Sequence, residues 1–434
     1  MKPSSLSLLA LALASTVLTA LPAATPVSAQ ELQPGETVLE RRRPEVEQLG
    51  IRAGSFRILP RIETGLTYES NVFATENDTR DDFIWVTQPR VDVRSDFNNH
   101  ALNFSASGNI GRFFDYSSEN YADYRAQVDG RYDITRDSSV SGLLFSRRDH
   151  EGRSDPNFDV SLATGTVVPR FAEPVNYFTH GGEASFNQRF NRLRVRLTGG
   201  AQYTSYQDAE LTNGRTESQE DRDRWSYTGT ARAGYEFIQG YEAFVQGSYN
   251  WTRYRLTPDF GGVNRDSDGY EIVGGLSTDL TGLINGEIYA GYLSRTYDDP
   301  TLKDFGGLAL GGRLNWSVTQ LTSVTGSLSR QVRESTYARG SQIASSYNRT
   351  VAAVGVDHEL LRTLLLNARV QWRQDDFNGV DRTDDVYTLG AGASYQLSRY
   401  VFVNGGYTYE KRNSNLSGFD YSDNLVYLRV GAQM

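Results

Sequence analysis

The chain has 434 residues, of which 38% are apolar, with a formal net charge of −9 and no cysteine. The missing cysteines exclude disulfides, thiolate metal sites and a lipid-modified N-terminal cysteine, and an acidic chain is a poor match to nucleic acid. Only Lys2, Lys303 and Lys411 are lysines, so nearly all positive charge is on arginine, whose planar fork suits carboxylates and phosphates. Arginine codon usage in a GC-rich genome would give the same composition.

Residues 1–29 have the three parts of a secretory signal peptide. Lys2 gives a positive start, Leu6 to Leu21 form an apolar segment, and Val27 to Ala29 are a small-residue cleavage motif, as signal peptides require. We expect cleavage between Ala29 and Gln30. A membrane helix, the alternative, is disfavoured by the prolines and polar residues that follow the apolar segment.

Residues 30–54 contain prolines, arginines and glutamates without a strand pattern, so we interpret them as a short, flexible periplasmic N-terminal extension. No later stretch approaches the roughly 18 consecutive apolar residues that a membrane-spanning helix needs. An exported chain without such a helix can still span a membrane as a closed β-barrel, because a barrel satisfies every backbone hydrogen-bonding group in lipid.

The clearest strand pattern runs from Tyr121 to Ile134. Even-numbered positions there carry no charge, whereas the odd-numbered positions are strongly polar. Successive side chains of a strand point to opposite faces, so this stretch is predicted to be a strand with one apolar and one ionic face. It is longer than the common soluble strand of about 5 to 6 residues and long enough to cross a membrane, which takes about 9 to 11 residues.

Similar segments follow one another over residues 55–434. We identify about 18 such segments; because some are less regular, the expected strand number is about 16 to 18. Alternating segments separated by turns are typical of transmembrane barrels. In chain order they centre near residues 63, 88, 107, 128, 143, 183, 199, 231, 248, 275, 290, 313, 327, 354, 369, 392, 405 and 429. The sequence therefore predicts an all-β fold, a transmembrane antiparallel up-and-down β-barrel.

The connections between these segments alternate between short and mostly longer ones. Thr135 to Ser138 and Thr281 to Ile284 are short, whereas Glu151 to Pro174 and Asp208 to Arg224 are long. Outer-membrane barrels have short turns in the periplasm and long loops outside, so we expect both termini in the periplasm. A soluble sandwich or propeller also has alternating strands, but it explains neither the strand lengths nor the unequal connections.

The tryptophans are predicted to form interfacial girdles around the barrel. Each of them falls at the end of a predicted strand, and aromatic side chains concentrate at membrane interfaces. The predicted girdle residues are Trp85, Trp225, Trp251, Trp316 and Trp372.

Charged residues on the ionic faces are the main functional candidates. Rings of such side chains in a pore bias which ions and solutes pass. For most of them the alternative is pairing between neighbouring strands, which only stiffens the interior. The candidate lumen-lining residues are Asp123, Arg125, Asp129, Arg131, Asp133, Arg194, Arg196, Arg232, Glu236, Glu287, Arg313, Arg369 and Arg373.

Other motifs give weaker signals. Residues 264–269 resemble the first half of a calcium loop, but Gly275 stands where the loop needs a glutamate, and an ordinary turn explains the same residues. The aspartates between residues 375 and 385 are expected to form a solvated rim. The four histidines lie in no triad motif. We therefore predict no catalytic residue, no metal site and no cofactor.

Five segments resemble the putative beta-barrel porin 2 family of outer-membrane proteins. They are RPEVEQLGIRAGSF (Arg43 to Phe56), YESNVFAT (Tyr68 to Thr75), DFIWVTQPRVDVRSDF (Asp82 to Phe97), GVNRDSDGYE (Gly262 to Glu271) and DHELL (Asp357 to Leu361). The resemblance runs over essentially the whole mature chain and implies an outer-membrane barrel without catalytic residues. Similar proteins are often found alongside exopolysaccharide or capsule export systems. The chain ends in Met434, where barrels usually end in an aromatic residue.

The favoured hypothesis is a channel in the bacterial outer membrane for passive diffusion of small hydrophilic solutes, since barrels of about 16 to 18 strands leave a water-filled lumen. The loop Glu151 to Pro174 is the best candidate for a constriction. The alternative is a non-enzymatic accessory component of exopolysaccharide or capsule export, or of surface anchoring. The expected partners are outer-membrane lipids and lipopolysaccharide, the barrel-assembly machinery and, for the alternative, polysaccharide-export proteins.

Overall fold

A computed structural model describes residues 37–39, 41, 43–157, 160–161, 168–169, 171–280, 283–339 and 342–434. The predicted signal peptide, with its cleavage residues Ala29 and Gln30, lies outside the described residues, and so do residues 30–36 of the predicted extension. Within the described part of the chain, no helix is long and apolar enough to cross a membrane.

Eighteen long strands form one antiparallel sheet that closes on itself. Because the first strand pairs with the last as well as with the second, the sheet is a barrel, as predicted. The strands are β1 (Phe56–Glu69), β2 (Asp82–Ser95), β3 (Ala101–Phe113), β4 (Tyr121–Asp133), β5 (Ser138–His150), β6 (Asn176–Phe190), β7 (Leu193–Tyr206), β8 (Arg224–Ile238), β9 (Tyr241–Tyr254), β10 (Ser267–Leu280), β11 (Ile284–Tyr297), β12 (Phe305–Thr319), β13 (Thr322–Glu334), β14 (Ser346–Leu361), β15 (Leu364–Asn378), β16 (Thr383–Gln396), β17 (Val401–Ser414) and β18 (Tyr421–Gln433).

Strand β4 shows why these residues form a barrel wall. Its apolar side chains Tyr124, Val128 and Tyr132 are exposed on the outer surface, where lipid rather than water is the favourable surrounding. The polar residues between them point inwards. Polar groups of non-neighbouring strands meet on this inner side: Arg232 of β8 lies 3.0 Å from Glu287 of β11.

The two ends of the barrel have different connections. One end has short turns, such as residues 191–192 and 239–240, and the other has long connections, such as residues 151–175 and 207–223. In the two short turns Asn191 and Gly240 have φ angles of 56° and 80°, a left-handed conformation that tight hairpins require and that Asn and Gly adopt readily. We call these ends the short-turn end and the loop end. Strand β1 begins and β18 ends at the short-turn end.

Strands β12 and β13 separate near the loop end. Their pairing stops at Gly311 and Ser329, although β13 stays paired with β14 as far as Glu334 and Ser346. Val332 of β13 packs against a cluster of apolar side chains on the inner face of β9 to β12. The upper part of the β13–β14 hairpin therefore leans into the barrel, and we call its described residues 330–339 and 342–350 the inward hairpin.

The remaining elements are short. A strand at Ile51–Ala53 pairs with the beginning of β1. Two-residue strands form three small ribbons in the loops, and two short turns are 3-10 helical. The ribbons are Val160–Ser161 with Val168–Pro169, Ala209–Glu210 with Thr216–Glu217, and Ala338–Arg339 with Gln342–Ile343. The helical turns are Ser117–Glu119 and Glu220–Arg222.

Candidate functional site: the polar lumen and its two coverings

All the predicted lumen residues occupy inward positions of their strands. The strand register places their side chains on the face opposite the exposed apolar residues. The inward-facing residues are Asp123, Arg125, Asp129, Arg131 and Asp133 of β4; Arg194 and Arg196 of β7; Arg232 and Glu236 of β8; Glu287 of β11; Arg313 of β12; and Arg369 and Arg373 of β15.

Many ion pairs of the lumen lie along one strand rather than between neighbouring strands. Arg131 binds Asp133 at 2.7 Å, and the same spacing joins Arg90 to Asp92 at 2.7 Å. Residues two apart on a strand share a face, so the long arginine side chain can lie along its own strand. These pairs differ from the pairing between neighbouring strands that was expected from the sequence.

Other predicted lumen residues bind partners across the wall. Arg232 binds Glu287 and also lies 3.5 Å from Glu242 and 3.5 Å above the Phe244 ring. Arg194 bridges Glu242 at 3.4 Å and Glu236 at 3.6 Å. The arginines here therefore hold the wall together as well as lining it.

Three further candidates bind neutral or aromatic partners. Asp129 accepts a hydrogen bond from Asn103 at 2.8 Å, and Arg196 donates one to Asn187 at 2.7 Å. Asp123 lies 3.0 Å from Nδ1 of His150, whose ring stacks on Tyr121. These contacts hold the His150 ring between Asp123 and Tyr121.

Arg125, Arg313 and Arg369 differ from the other lumen arginines. Among the described residues none of the three has a carboxylate within 4.0 Å. Within the described chain, Arg313 donates a hydrogen bond only to the side-chain oxygen of Asn315, at 3.4 Å, and Arg369 only to that of Gln371, at 3.0 Å.

The first part of the long β5–β6 connection crosses the loop end of the barrel. At its start Glu151 pairs with Arg222, and Arg153 binds Glu119 at 2.7 Å. Further along, Pro156 accepts a hydrogen bond from Arg382, and Asn157 donates one to the backbone oxygen of Glu334 at 3.1 Å. Residues 151–157, which we call the crossing segment, therefore reach from β5 to the opposite wall, within the loop that the sequence suggested as a constriction.

The inward hairpin is fixed by polar contacts that the alternation pattern did not reveal. Glu334 pairs with Arg295 of β11 and accepts a hydrogen bond from the Tyr254 hydroxyl at 3.3 Å. Arg265 donates to the backbone oxygen of Ser335 at 2.7 Å. A sequence signal for this arrangement is the glycine-rich beginning of β12, Gly306 to Gly312, whose inward positions 307, 309 and 311 are Gly, Ala and Gly.

The predicted solvated rim is wrong for two of its aspartates. Asp375 and Asp384 are both 0% exposed. Asp375 binds Arg349 at 2.6 Å and Arg373 at 3.2 Å, and Asp384 binds Arg382 at 2.6 Å. These carboxylates are buried because the loops fold over them and arginines neutralise them, as buried charges require.

Arg382 is the most enclosed of these arginines, with 2% of its surface exposed. Its guanidinium lies 4.3 to 4.6 Å from the ring centres of Tyr337, Phe377 and Phe419. Those rings come from three separate stretches of the chain. Cation–π contacts of this kind are stronger when desolvated, so this cluster ties the loop end together.

At the short-turn end, the N-terminal residues cover part of the opening. The backbone of Val38, which is 1% exposed, donates a hydrogen bond to Ser323 at 3.1 Å, and Arg43 binds Glu359 at 3.1 Å. Arg399 donates to the backbone oxygen of Pro44 at 3.0 Å. We call the described residues 37–39, 41 and 43–50 the inlet segment. Polar contacts with several turns of the barrel position these described residues, and the flexibility expected of the extension stays a prediction.

The predicted girdle tryptophans lie in different surroundings. Trp85, Trp225 and Trp316 are exposed on the outer surface. Trp225 and Trp251 belong to a continuous row of rings with Tyr227 and Tyr249, with centroids 5.4 to 5.8 Å apart. Trp372 donates its indole hydrogen to Asp385 at 2.9 Å.

The weaker motifs act as turns and supports. Asn264 and Asp266 accept backbone hydrogen bonds, and Asp268 binds Arg253 at 3.0 Å. This arrangement matches the ordinary turn that was the alternative to a calcium loop. In the part of the chain that the structure describes, no three His, Cys, Asp or Glu side chains are grouped so that they could hold a metal ion.

Comparison with solved structures finds other barrels. The Pseudomonas aeruginosa protein OpdL is 12% identical with a TM-score of 0.41, over 88% of this chain and 99% of that one. OpdO from the same organism is 12% identical with a TM-score of 0.45, over 88% and 98%. The FpvAI–pyocin S2 complex is 11% identical with a TM-score of 0.43, over 83% of this chain but only 55% of that one. Similarity at this level concerns the barrel fold alone.

No curated protein matches the sequence. The model of a family described as putative beta-barrel porin 2 matches residues 43–434, which is nearly the whole described chain and agrees with the resemblance found in the sequence. Barrels of this porin-like family belong to the outer membrane. The chain is therefore a member of the putative beta-barrel porin 2 family.

Proposed function

We propose that this barrel is a narrow channel through which small hydrophilic solutes diffuse passively across the outer membrane. The observation that supports the proposal most strongly is the inner face. Charged and amide side chains line it on β4, β7, β8, β11, β12 and β15, whereas the outer face is apolar. A wall that is polar inside and apolar outside favours a water-filled lumen in lipid.

The coverings at both ends favour small solutes. The crossing segment and the inward hairpin meet over the lumen at the loop end, where Asn157 contacts Glu334. The inlet segment lies over the turns at the other end, where Arg43 binds Glu359. A solute must pass both, so we expect a lower conductance than an unobstructed barrel of this strand number would have.

The proposed orientation puts the short-turn end and both termini in the periplasm and the loops outside. In this arrangement the exposed apolar side chains and the aromatic row contact outer-membrane lipids and lipopolysaccharide. Folding into the membrane would require the barrel-assembly machinery. The proposal assigns no catalytic residue and no cofactor.

Recording from planar lipid bilayers tests the proposal. Purified, folded protein should give discrete current steps, and its folding is checked by the shift in gel mobility on heating. Correctly folded protein that gives no steps would contradict the channel proposal. The alternative, an accessory role in exopolysaccharide or capsule export, would then be tested by deleting the gene and measuring surface polysaccharide.

A further inference from the structure

We propose that Arg313 and Arg369 form a binding site for a small oxyanion on the inner wall, so that the channel favours solutes that carry a carboxylate or a phosphate group. The inference rests on the proposed channel function and names its solute class.

Small residues separate the two arginines on the inner wall. In the strand register, Arg313 of β12 is opposite Ser327 of β13, and Arg369 of β15 is opposite Gly355 of β14. Neighbouring strands lie about 4.8 Å apart, so roughly 14 Å of wall separates the backbones of β12 and β15. The side chains between them at inward positions are small, namely those of Thr325, Ser327, Ala353 and Gly355. The two long arginine side chains can therefore approach one anion from both sides, because the small side chains between them leave room for it.

The charges of the two arginines are not neutralised locally. In the described structure neither has a carboxylate within 4.0 Å, and each contacts only an amide oxygen, of Asn315 and Gln371 respectively. Arg61 and Arg131, at other inward positions, bind Glu63 and Asp133. This contrast separates Arg313 and Arg369 from arginines that hold the wall together.

The carboxylate of Glu287 does not occupy the site. Glu287, the register partner of Arg313, binds Arg232 at 3.0 Å instead. Arg313 and Arg369 carry charges of the same sign, so an anion between them would be attracted to both.

The chemistry of the groups fits an oxyanion. The guanidinium group presents paired donors that match carboxylate and phosphate oxygens, and such charge-assisted hydrogen bonds are stronger than neutral ones. The hydroxyl of Ser327 and the amide nitrogen of Gln371 are additional donors on the same face. Because the lumen is wet, we expect weak binding, as conduction requires.

Binding of inorganic phosphate to the full-length mature protein in detergent tests the site. The double variant R313Q/R369Q should lose about tenfold or more in phosphate affinity, the size expected when charged hydrogen bonds are removed. The control is R131Q, which removes an arginine from the same face but one that Asp133 already neutralises; it should keep the parent affinity. Unchanged phosphate affinity in the double variant would overturn the site.

The reversal potential in a salt gradient tests the solute preference. Parent protein should prefer anions, and R313Q/R369Q should lose more of this preference than R131Q. If parent and double variant conduct with equal selectivity, the solute preference is wrong while the channel proposal stands. If the parent binds phosphate but passes no current, the channel proposal and the solute preference are wrong while the binding site stands.

Discussion

Buried arginines at the loop end combine two kinds of contact. Arg382 lies among the rings of Tyr337, Phe377 and Phe419 while it binds Asp384. The rings enclose the flat faces of the guanidinium, and the carboxylate and the backbone oxygen of Pro156 accept from its edge. Removing the arginine would leave Asp384 as an uncompensated buried charge.

We therefore expect Arg382→Gln to destabilise the protein by about 3 to 5 kcal/mol, the cost of breaking a buried ion pair by removing one partner. Urea unfolding in lipid vesicles, followed by tryptophan fluorescence, measures the loss. Arg80→Gln is the control, because Arg80 and Asp78 form an exposed pair with side chains 52% and 77% accessible; it should change stability by less than about 1 kcal/mol. Equal effects of the two substitutions would contradict the role given to the buried cluster.

The sequence could have predicted the pairing of Arg382 with Asp384 but not its burial. Arg382 directly precedes β16 and Asp384 is the second residue of that strand. Residues two apart in extended chain share a face, so the pair follows from spacing. The rings that enclose it come from the β13–β14 and β17–β18 connections and from β15. No local pattern shows that these distant stretches meet, which is why the aspartates were wrongly expected in solvent.

At the scale of elements, the crossing segment and the inward hairpin depend on each other. Glu334 contacts Arg295 and Tyr254 through its side chain and Asn157 through its backbone oxygen. The hairpin leans inwards because β12 and β13 stop pairing at Gly311 and Ser329. Strict alternation along β13 predicts an outward Glu334, and only the loss of pairing with β12 explains its buried contacts.

The substitution Glu334→Gln should loosen the inward hairpin, because it removes the charge that pairs with Arg295. In planar bilayers we expect larger and noisier current steps than those of the parent. Glu173→Gln, at an exposed position of the β5–β6 connection, removes the same charge at the same end of the barrel and should leave the steps unchanged. Parent-like steps in the Glu334→Gln variant would show that the hairpin does not limit the current.

The inlet segment offers a second test at this scale. Arg43→Gln breaks the pair with Glu359, whose side chains are 11% and 5% accessible. The segment should then exchange its amide hydrogens faster, since local opening governs exchange. Arg52→Gln is the matched control, because Arg52 and Asp96 form an exposed pair nearby. Hydrogen-exchange mass spectrometry would contradict the proposed anchoring if both variants exchanged like the parent.

At the scale of the whole molecule, the alternation of apolar and polar residues was enough to predict the barrel. Strand length, strand number and the unequal connections all follow from the sequence, because each strand has to present one face to lipid and one to the lumen. The contacts across the lumen could not be predicted in this way, since alternation gives the face of a residue but not its partner. The unpaired Arg313 and Arg369 were recognised as inward-facing, but their lack of a carboxylate needed the structure.

The placement of the strands in the membrane predicts how much a charged residue on the outer face destabilises the barrel. Leu144 lies in the middle of β5 and is 68% exposed. Leu144→Arg should destabilise the folded barrel in lipid by about 2 to 4 kcal/mol, whereas Leu397→Arg, in a short turn, should cost about 0 to 1 kcal/mol, because the cost depends on depth in the bilayer. Unfolding in lipid vesicles measures both. Equal costs would contradict a membrane that surrounds the middle of the strands.

Swelling of proteoliposomes in isosmotic solutions of neutral sugars of increasing size tests passive diffusion through the lumen. Vesicles with folded protein should swell quickly in the smallest sugar and more slowly as the sugar grows, whereas protein-free vesicles should not swell. If vesicles with folded protein are no more permeable to the smallest sugar than protein-free vesicles, passive diffusion through the lumen is contradicted.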